Sequence, residues 1–153
     1  MKKQFSILAV TFVMALFVLA SCSIKDDSNP PATKTKTQLV TQSSWKAKSA
    51  TVNGTPYALN ACILDNVYTF TTAGTGTVDE STTVCAGATA GITPFTWSFQ
   101  SGETIVQLST PLFQGGLNTV TLVSLTETDL VVSFPYSPGP GVNVTIVATF
   151  QHS

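Results

Sequence analysis

TPFTWSFQ, residues 93–100, alternates strictly. Phe95, Trp97 and Phe99 fall on one side, Thr96 and Ser98 on the other. Successive side chains of an extended strand point to opposite faces, so this stretch predicts a half-buried β-strand with an aromatic inner face. Working outward from it, the rest of the chain beyond residue 44 reads the same way. Threonine and valine recur, both favouring strands, and Gly, Asn and Pro punctuate the chain at short intervals, the pattern of an all-β domain.

Eight strands are predicted. On the N-terminal side of the central aromatic strand, residues 45–52 (WKAKSATV) place Trp45, Ala47 and Ser49 opposite Lys46 and Lys48, and Asn53-Gly54 turns the chain. Residues 67–72 (VYTFTT) put Tyr68 and Phe70 on one face, Ala73-Gly74-Thr75 makes a hairpin connection, and residues 76–80 form the third strand. On the C-terminal side, strands are predicted at 104–109, 119–125, 130–134 and 142–151. In the last of these Val142, Val144, Ile146, Ala148 and Phe150 share a face. Residues 135–141 (PYSPGPG) read as a rigid loop. Consecutive strands with short connections make a meander, which hides its edges best by closing into an antiparallel up-and-down barrel; an open β-sandwich is the competing arrangement.

The N-terminal region has a different character. Met1-Lys2-Lys3 precedes an apolar run over residues 5–19 (FSILAVTFVMALFVL), then Ala20, Ser21 and Cys22. A basic start, a short apolar core and small residues before a cut site are the marks of a signal peptide, and the run is shorter than the ~20 residues of a membrane-spanning helix. Leu19-Ala20-Ser21-Cys22 resembles a bacterial lipobox, which implies a signal peptide over 1–21 and lipidation of Cys22. Acyl chains on that residue would anchor the protein, each buried CH₂ contributing about 0.8 kcal/mol. Ser23-Ile24-Lys25-Asp26-Asp27 resembles the surface-export signal of Bacteroidota lipoproteins, which implies the outer face of the outer membrane; a periplasm-facing anchor is the alternative. Residues 22–42 are read as the lipidated cysteine and a flexible tether of linker composition, and 43–153 as the folded domain.

Charge narrows the function. The chain has no arginine, and after Lys48 its charged side chains are Asp65, Asp79, Glu80, Glu103, Glu127 and Asp129, with His152 as the single histidine. Nucleic-acid binding needs cationic groups, of which this domain has almost none. Beyond Cys22 the cysteines are Cys62 and Cys85. In an exported protein an even pair reads as a disulfide; a two-cysteine metal site is the alternative, without a nearby histidine or a CxxC spacing to support it.

No catalytic constellation emerges, and no enzyme is expected. His152 lies one residue from the chain end, where it would be frayed and solvated. Gly74-Thr75-Gly76 has no lysine for a phosphate loop and reads as a hairpin. Asp79 and Glu80, adjacent on a strand, point to opposite faces and read as a solvated strand end. Asp65-Asn66 could join a calcium site, though turn chemistry explains it equally. No cofactor or metal is expected. The aromatics Trp45, Tyr68, Phe70, Phe95, Trp97 and Phe99 are the candidates to line a ligand cavity; the competing reading is that they fill the core.

The order of these features carries a family resemblance. Trp45-Lys46 comes first, then Cys62-Ile63-Leu64-Asp65-Asn66 running into Val67-Tyr68-Thr69-Phe70. Gly74-Thr75-Gly76, Cys85, Thr96-Trp97-Ser98-Phe99 and a turn from Ser124 to Val131 follow. The pattern resembles the lipocalin-like domain of Bacteroidota lipoproteins over about residues 43–151. The resemblance implies an eight-stranded antiparallel lipocalin-like β-barrel with the cysteine pair bridged. Two functions follow as expectations. One is a lipid-anchored outer-membrane protein that binds a small hydrophobic ligand. The other is a surface interaction or structural module with a filled core, using loops 110–118 and 135–141.

Overall fold

The computed structural model describes residues 33–112 and 116–153. The expected signal peptide, Cys22 and most of the expected tether lie outside these residues. From residue 33 onward the chain forms one compact unit, so the fold begins ten residues before the sequence boundary at 43.

Among the described residues nine antiparallel strands make one sheet: β1 (Trp45–Val52), β2 (Thr55–Tyr57), β3 (Val67–Phe70), β4 (Thr75–Asp79), β5 (Ile92–Gln100), β6 (Ile105–Leu108), β7 (Thr119–Leu125), β8 (Asp129–Gly139) and β9 (Val142–His152). Pairing of β1 with β9, from Trp45↔His152 to Val52↔Ile146, closes the sheet. The result is the expected eight-stranded barrel, with β2 as an extra strand folded back along β1. Closure removes the edges that an open sandwich would expose. The seam lies between β1 and β3, which pair at Trp45↔Tyr68. Beyond that point β2 occupies the flank of β1, through Ala50↔Tyr57 to Val52↔Thr55. Asn53 and Gly54 form the two-residue turn in left-handed conformations (φ 49° and 81°). Val52 and Thr55 flank that turn as a hydrogen-bonded pair, so at Pro56 the backbone faces the open edge. Proline offers no N–H there, which blunts the edge against pairing.

Three differences from the sequence reading have local physical causes. First, the register of β1 against β9 shifts between Ala47 and Ser49. The bulge at Lys48 reverses the alternation, so Ser49 is exposed and Ala50 is buried, the opposite of the unbroken pattern expected. A second shift, between Leu122 and Ser124, leaves Val123 as the extra, exposed residue and turns Ser124 out and Leu125 in toward the core. Second, residues 135–139 are not loop but the end of β8, paired to β9 through Pro135↔Thr145 and Tyr136↔Val144. Pairing of β8 with β7 ends at Ser133↔Thr121. Past it β8 is an edge, where proline is tolerated because one side of the strand needs no donor. Third, the polar segment before Trp45 is not all tether. It holds a helix, α1 (Lys36–Thr41), started by Thr35 and Gln38 in a reciprocal capping box. Val40 of α1 is buried, and the Trp45 indole N–H donates to its carbonyl at 2.9 Å. Lys36 Nζ donates to the Glu103 carbonyl and Gln42 Nε2 to that of Glu127, tying α1 to the β5–β6 and β7–β8 turns. These contacts close one end of the barrel.

The aromatic strand behaves as its alternation predicts. Phe95 and Trp97 are buried, Phe99 is half-buried, and Pro94, Thr96 and Ser98 are exposed. Phe70 meets Phe95 and Trp97 edge-on at centroid distances of 5.4 and 5.5 Å. Gly76 makes this possible, because a Cβ there would collide with the Phe95 ring and the Thr69 carbonyl. A Gly76→Ala substitution should destabilise the fold by about 1–3 kcal/mol through overpacking. Urea denaturation measures the cost, and an unchanged midpoint would show that both Phe95 and the β3 backbone at Thr69 have free room to move.

Candidate functional site

All six aromatics singled out in the sequence face inward. Trp45 and Tyr68 are essentially inaccessible (0% and 1% exposed), Phe70, Phe95 and Trp97 are buried, and Phe99 packs against them half-buried. Tyr68 stacks edge-on to Phe150 at 5.3 Å, and Trp45 packs on His152 at 4.3 Å. The void bounded by Phe70, Trp97, Phe99, Val106, Leu122 and Val132 is about 10 Å³. That is about the space of one probe sphere, far below the roughly 300–1,000 Å³ of a drug-sized ligand site. In this conformation the six side chains are core. His152 is not frayed either: it ends β9 against Trp45, with Gln42 Nε2 3.3 Å from its ring nitrogen.

The open end has a different chemistry. Strand direction places the β1–β2 turn, the connections following β4 and β6, and the β8–β9 hairpin together, opposite α1. A short helix, α2 (Ala61–Leu64), and the loop over residues 80–91 cover part of this mouth. The disulfide Cys62–Cys85 joins them, with Cα atoms 5.1 Å apart. Asp65 ties the same two segments, accepting from the Thr82 hydroxyl at 2.9 Å and the Thr83 N–H at 3.0 Å. This is turn chemistry. Among the described residues no three metal-ligating side chains converge.

Beneath the bridge lies a polar cluster that the sequence reading missed. Glu80 is buried, not solvated. Its Oε1 accepts from Asn66 Nδ2 at 3.1 Å and its Oε2 from the Cys85 N–H at 3.2 Å. Asn66 is buried as well, and its Oδ1 has no hydrogen-bond partner. The Tyr68 hydroxyl, buried nearby, likewise has none at bonding geometry. Burial pushes the Tyr68 phenol up to about 12, the adjacent Asn66 side chain opposes the rise, and the charge of Glu80 adds to it. The parity of β4 carried the missing signal. Gly76 and Val78 face inward, so Glu80, two residues on, continues that face while Asp79 points out. Glu80, Asn66, Asn60, Ile63, Cys62, Cys85, Ala86 and Ala88 bound a cleft of about 210 Å³. A larger depression of about 480 Å³ lies on the barrel's outer wall over β3–β5. Threonines such as Thr69, Thr77 and Thr96 line it together with Pro94 and Phe95, and no buried, unpaired polar atom belongs to its lining.

Two carboxyls are held below their ordinary value of 3.8. Burial alone would raise Asp65, but hydrogen bonds from Thr82 and Thr83 together outweigh it. At Asp129 the Thr128 hydroxyl lowers the value most, burial opposes, and Lys48, 3.5 Å away, and His152 add to the lowering. A carboxyl with a depressed folded pKa contributes stability that is present above its unfolded value and lost as pH falls through the folded one. The urea midpoint should therefore hold from pH 7 to about 5 and drop between pH 4 and 2. A midpoint unchanged at pH 2 would contradict the assigned hydrogen bonds.

A family model described as a lipocalin-like domain matches residues 42–132, more than half of the chain and most of the barrel. A search of curated proteins found no match.

Proposed function

The chain belongs to the lipocalin-like domain family, and on that premise we propose that it is a non-enzymatic, lipid-anchored protein of the outer membrane. In this reading it faces the cell surface and takes up a small hydrophobic ligand at the mouth of its barrel. The observation that carries the reading is the mouth itself. A closed β-barrel ends in a cleft of about 210 Å³, roofed by a covalently pinned loop. Apolar Leu64 and Val84 stand exposed on the two segments that bound it, and Ile92 is exposed where β5 begins. Lipid attached at Cys22 would hold the protein at a membrane that supplies such molecules.

Native mass spectrometry of the full chain incubated with lipid extract of its host tests the proposal. A reproducible added mass is expected, and it should weaken when the exposed cleft wall is blocked by Ala86→Trp. Bare protein under all conditions, with the barrel folded, would overturn it.

The filled interior favours a second reading, a surface interaction module with no small-molecule ligand. Its binding surface would be the rim, where Leu117 stands 44% exposed on the connection between β6 and β7 and Val142, the first residue of β9, 48% exposed. Protease shaving of intact cells tests the shared premise of surface exposure: a protected protein would place the anchor on the periplasmic side.

A further inference from the structure

We propose that the cleft beneath the Cys62–Cys85 bridge is a subsite for a protonated primary amine, the polar end of a small amphiphile whose apolar part lies along the barrel mouth. This rests on the ligand-binding reading above and adds the ligand's headgroup class. Glu80 lines the cleft while retaining only 9% exposure, and no cation pairs with it among the described residues. Its two protein donors, Asn66 Nδ2 and the Cys85 N–H, are neutral. Burying a charge without a counter-charge is costly, and acceptors left unpaired beside it add to the cost. Asn66, also on the cleft wall and 2% exposed, has its Oδ1 unpaired. An ammonium group is the complement of this set, since it carries three donors, no acceptor and one positive charge.

The surroundings favour the same sign. Asp65 and Asp79 stand next in sequence to the cleft residues Asn66 and Glu80, and no lysine occurs beyond Lys48. An anionic headgroup would meet carboxylates there, whereas a cation is steered inward. Size sets a further limit. About 210 Å³ is too small for a whole drug-sized ligand but holds a headgroup and its first carbons. A metal ion is a poorer fit, because no third ligating side chain stands with Glu80 among the described residues.

The test is a titration of the oxidised full chain in nonionic detergent micelles, followed by the ¹⁵N–¹H signals of Glu80 and Cys85. The probes are hexylammonium chloride, hexanol and calcium chloride. Hexylammonium should shift both signals saturably, with hexanol binding at least about tenfold more weakly, the factor expected for loss of a charge-assisted hydrogen bond. Glu80→Gln should weaken the amine by a similar factor and leave hexanol unchanged. If that variant loses its dispersed spectrum, Ala86→Trp decides, because its exposed site can block the cleft with the cluster intact. Equal binding of amine and alcohol, full amine affinity in the blocked variant, or saturation by calcium at lower concentration than by the amine would each overturn the assignment. An added lipid mass that persists while hexylammonium fails to bind would remove the amine subsite alone. Loss of both would remove the ligand reading with it.

Discussion

Trp45→Ala will cost the fold about 4 kcal/mol, the largest loss expected from a single substitution in this protein. The indole is fully buried at the seam where β1 meets both β9 and β3. Removing it opens a cavity, ends the packing on His152 and leaves the Val40 carbonyl without its donor. That carbonyl belongs to the last turn of α1, where carbonyls lack helical partners and need an outside donor. The damage should therefore spread from the barrel wall to the helix that closes its end. Trp45→Phe separates the two parts: it keeps most of the apolar area and loses the N–H, at a cost of about 1–2 kcal/mol. Urea denaturation of both variants measures the difference. A loss below 1 kcal/mol for the alanine variant would mean that α1 and the seam do not depend on this residue, and the closed end would need another explanation.

Breaking the disulfide comes next. The Cys62→Ser/Cys85→Ser double variant should lose about 3 kcal/mol, because the bridge spans 23 residues of sequence and restricts the unfolded chain accordingly. The location of the loss matters as much as its size. The bridge holds α2 to the loop over residues 80–91, and the other ties between these segments are the Asp65 bonds to Thr82 and Thr83 and the Glu80–Asn66–Cys85 set. Hydrogen exchange should accelerate at Thr83 and Cys85 well before it does in β8 and β9. Uniform acceleration across the barrel would show instead that the bridge stabilises the whole fold and not its mouth. The same experiment bears on function. If the mouth is where a ligand enters, reduction should weaken binding while the aromatic core stays folded.

The two results meet in one picture of the molecule. One end of the barrel is closed by α1 with its buried Val40 and by Trp45, and the other is partly covered by a disulfide-linked loop over a polar cleft. The interior between them is occupied by side chains, with a void of about 10 Å³. Chemistry that could recognise a ligand is therefore concentrated at the mouth, where Glu80 and Asn66 are buried.

Much of this was legible in the chain. Strict alternation over residues 93–100 determined the inner face of β5, and the same two-residue period located the strands and put Tyr68 with Phe70, and Ala148 with Phe150, on one face of theirs. The cysteine pair, the Asn53-Gly54 turn and the Gly74–Gly76 hairpin also followed from residue chemistry. The rest depended on what lies across the sheet. The bulges at Lys48 and Val123 exist because a partner strand has one residue fewer at that point, and each reverses the face of everything after it. Residues 135–139 continue β8 because β7 stops short and frees one side of the strand from needing donors. The α1 segment looks like linker until Trp45 presents a donor to the Val40 carbonyl. Whether six aromatics line a cavity or fill it is a sum of volumes over all eight walls, and no one strand contains that sum. Alternation is a property of one strand's backbone geometry, so the sequence by itself determined which side chains face inward within each regular stretch. Closure, bulges, burial of Glu80 and the filled interior are properties of strands in opposition, so only the tertiary structure decided them.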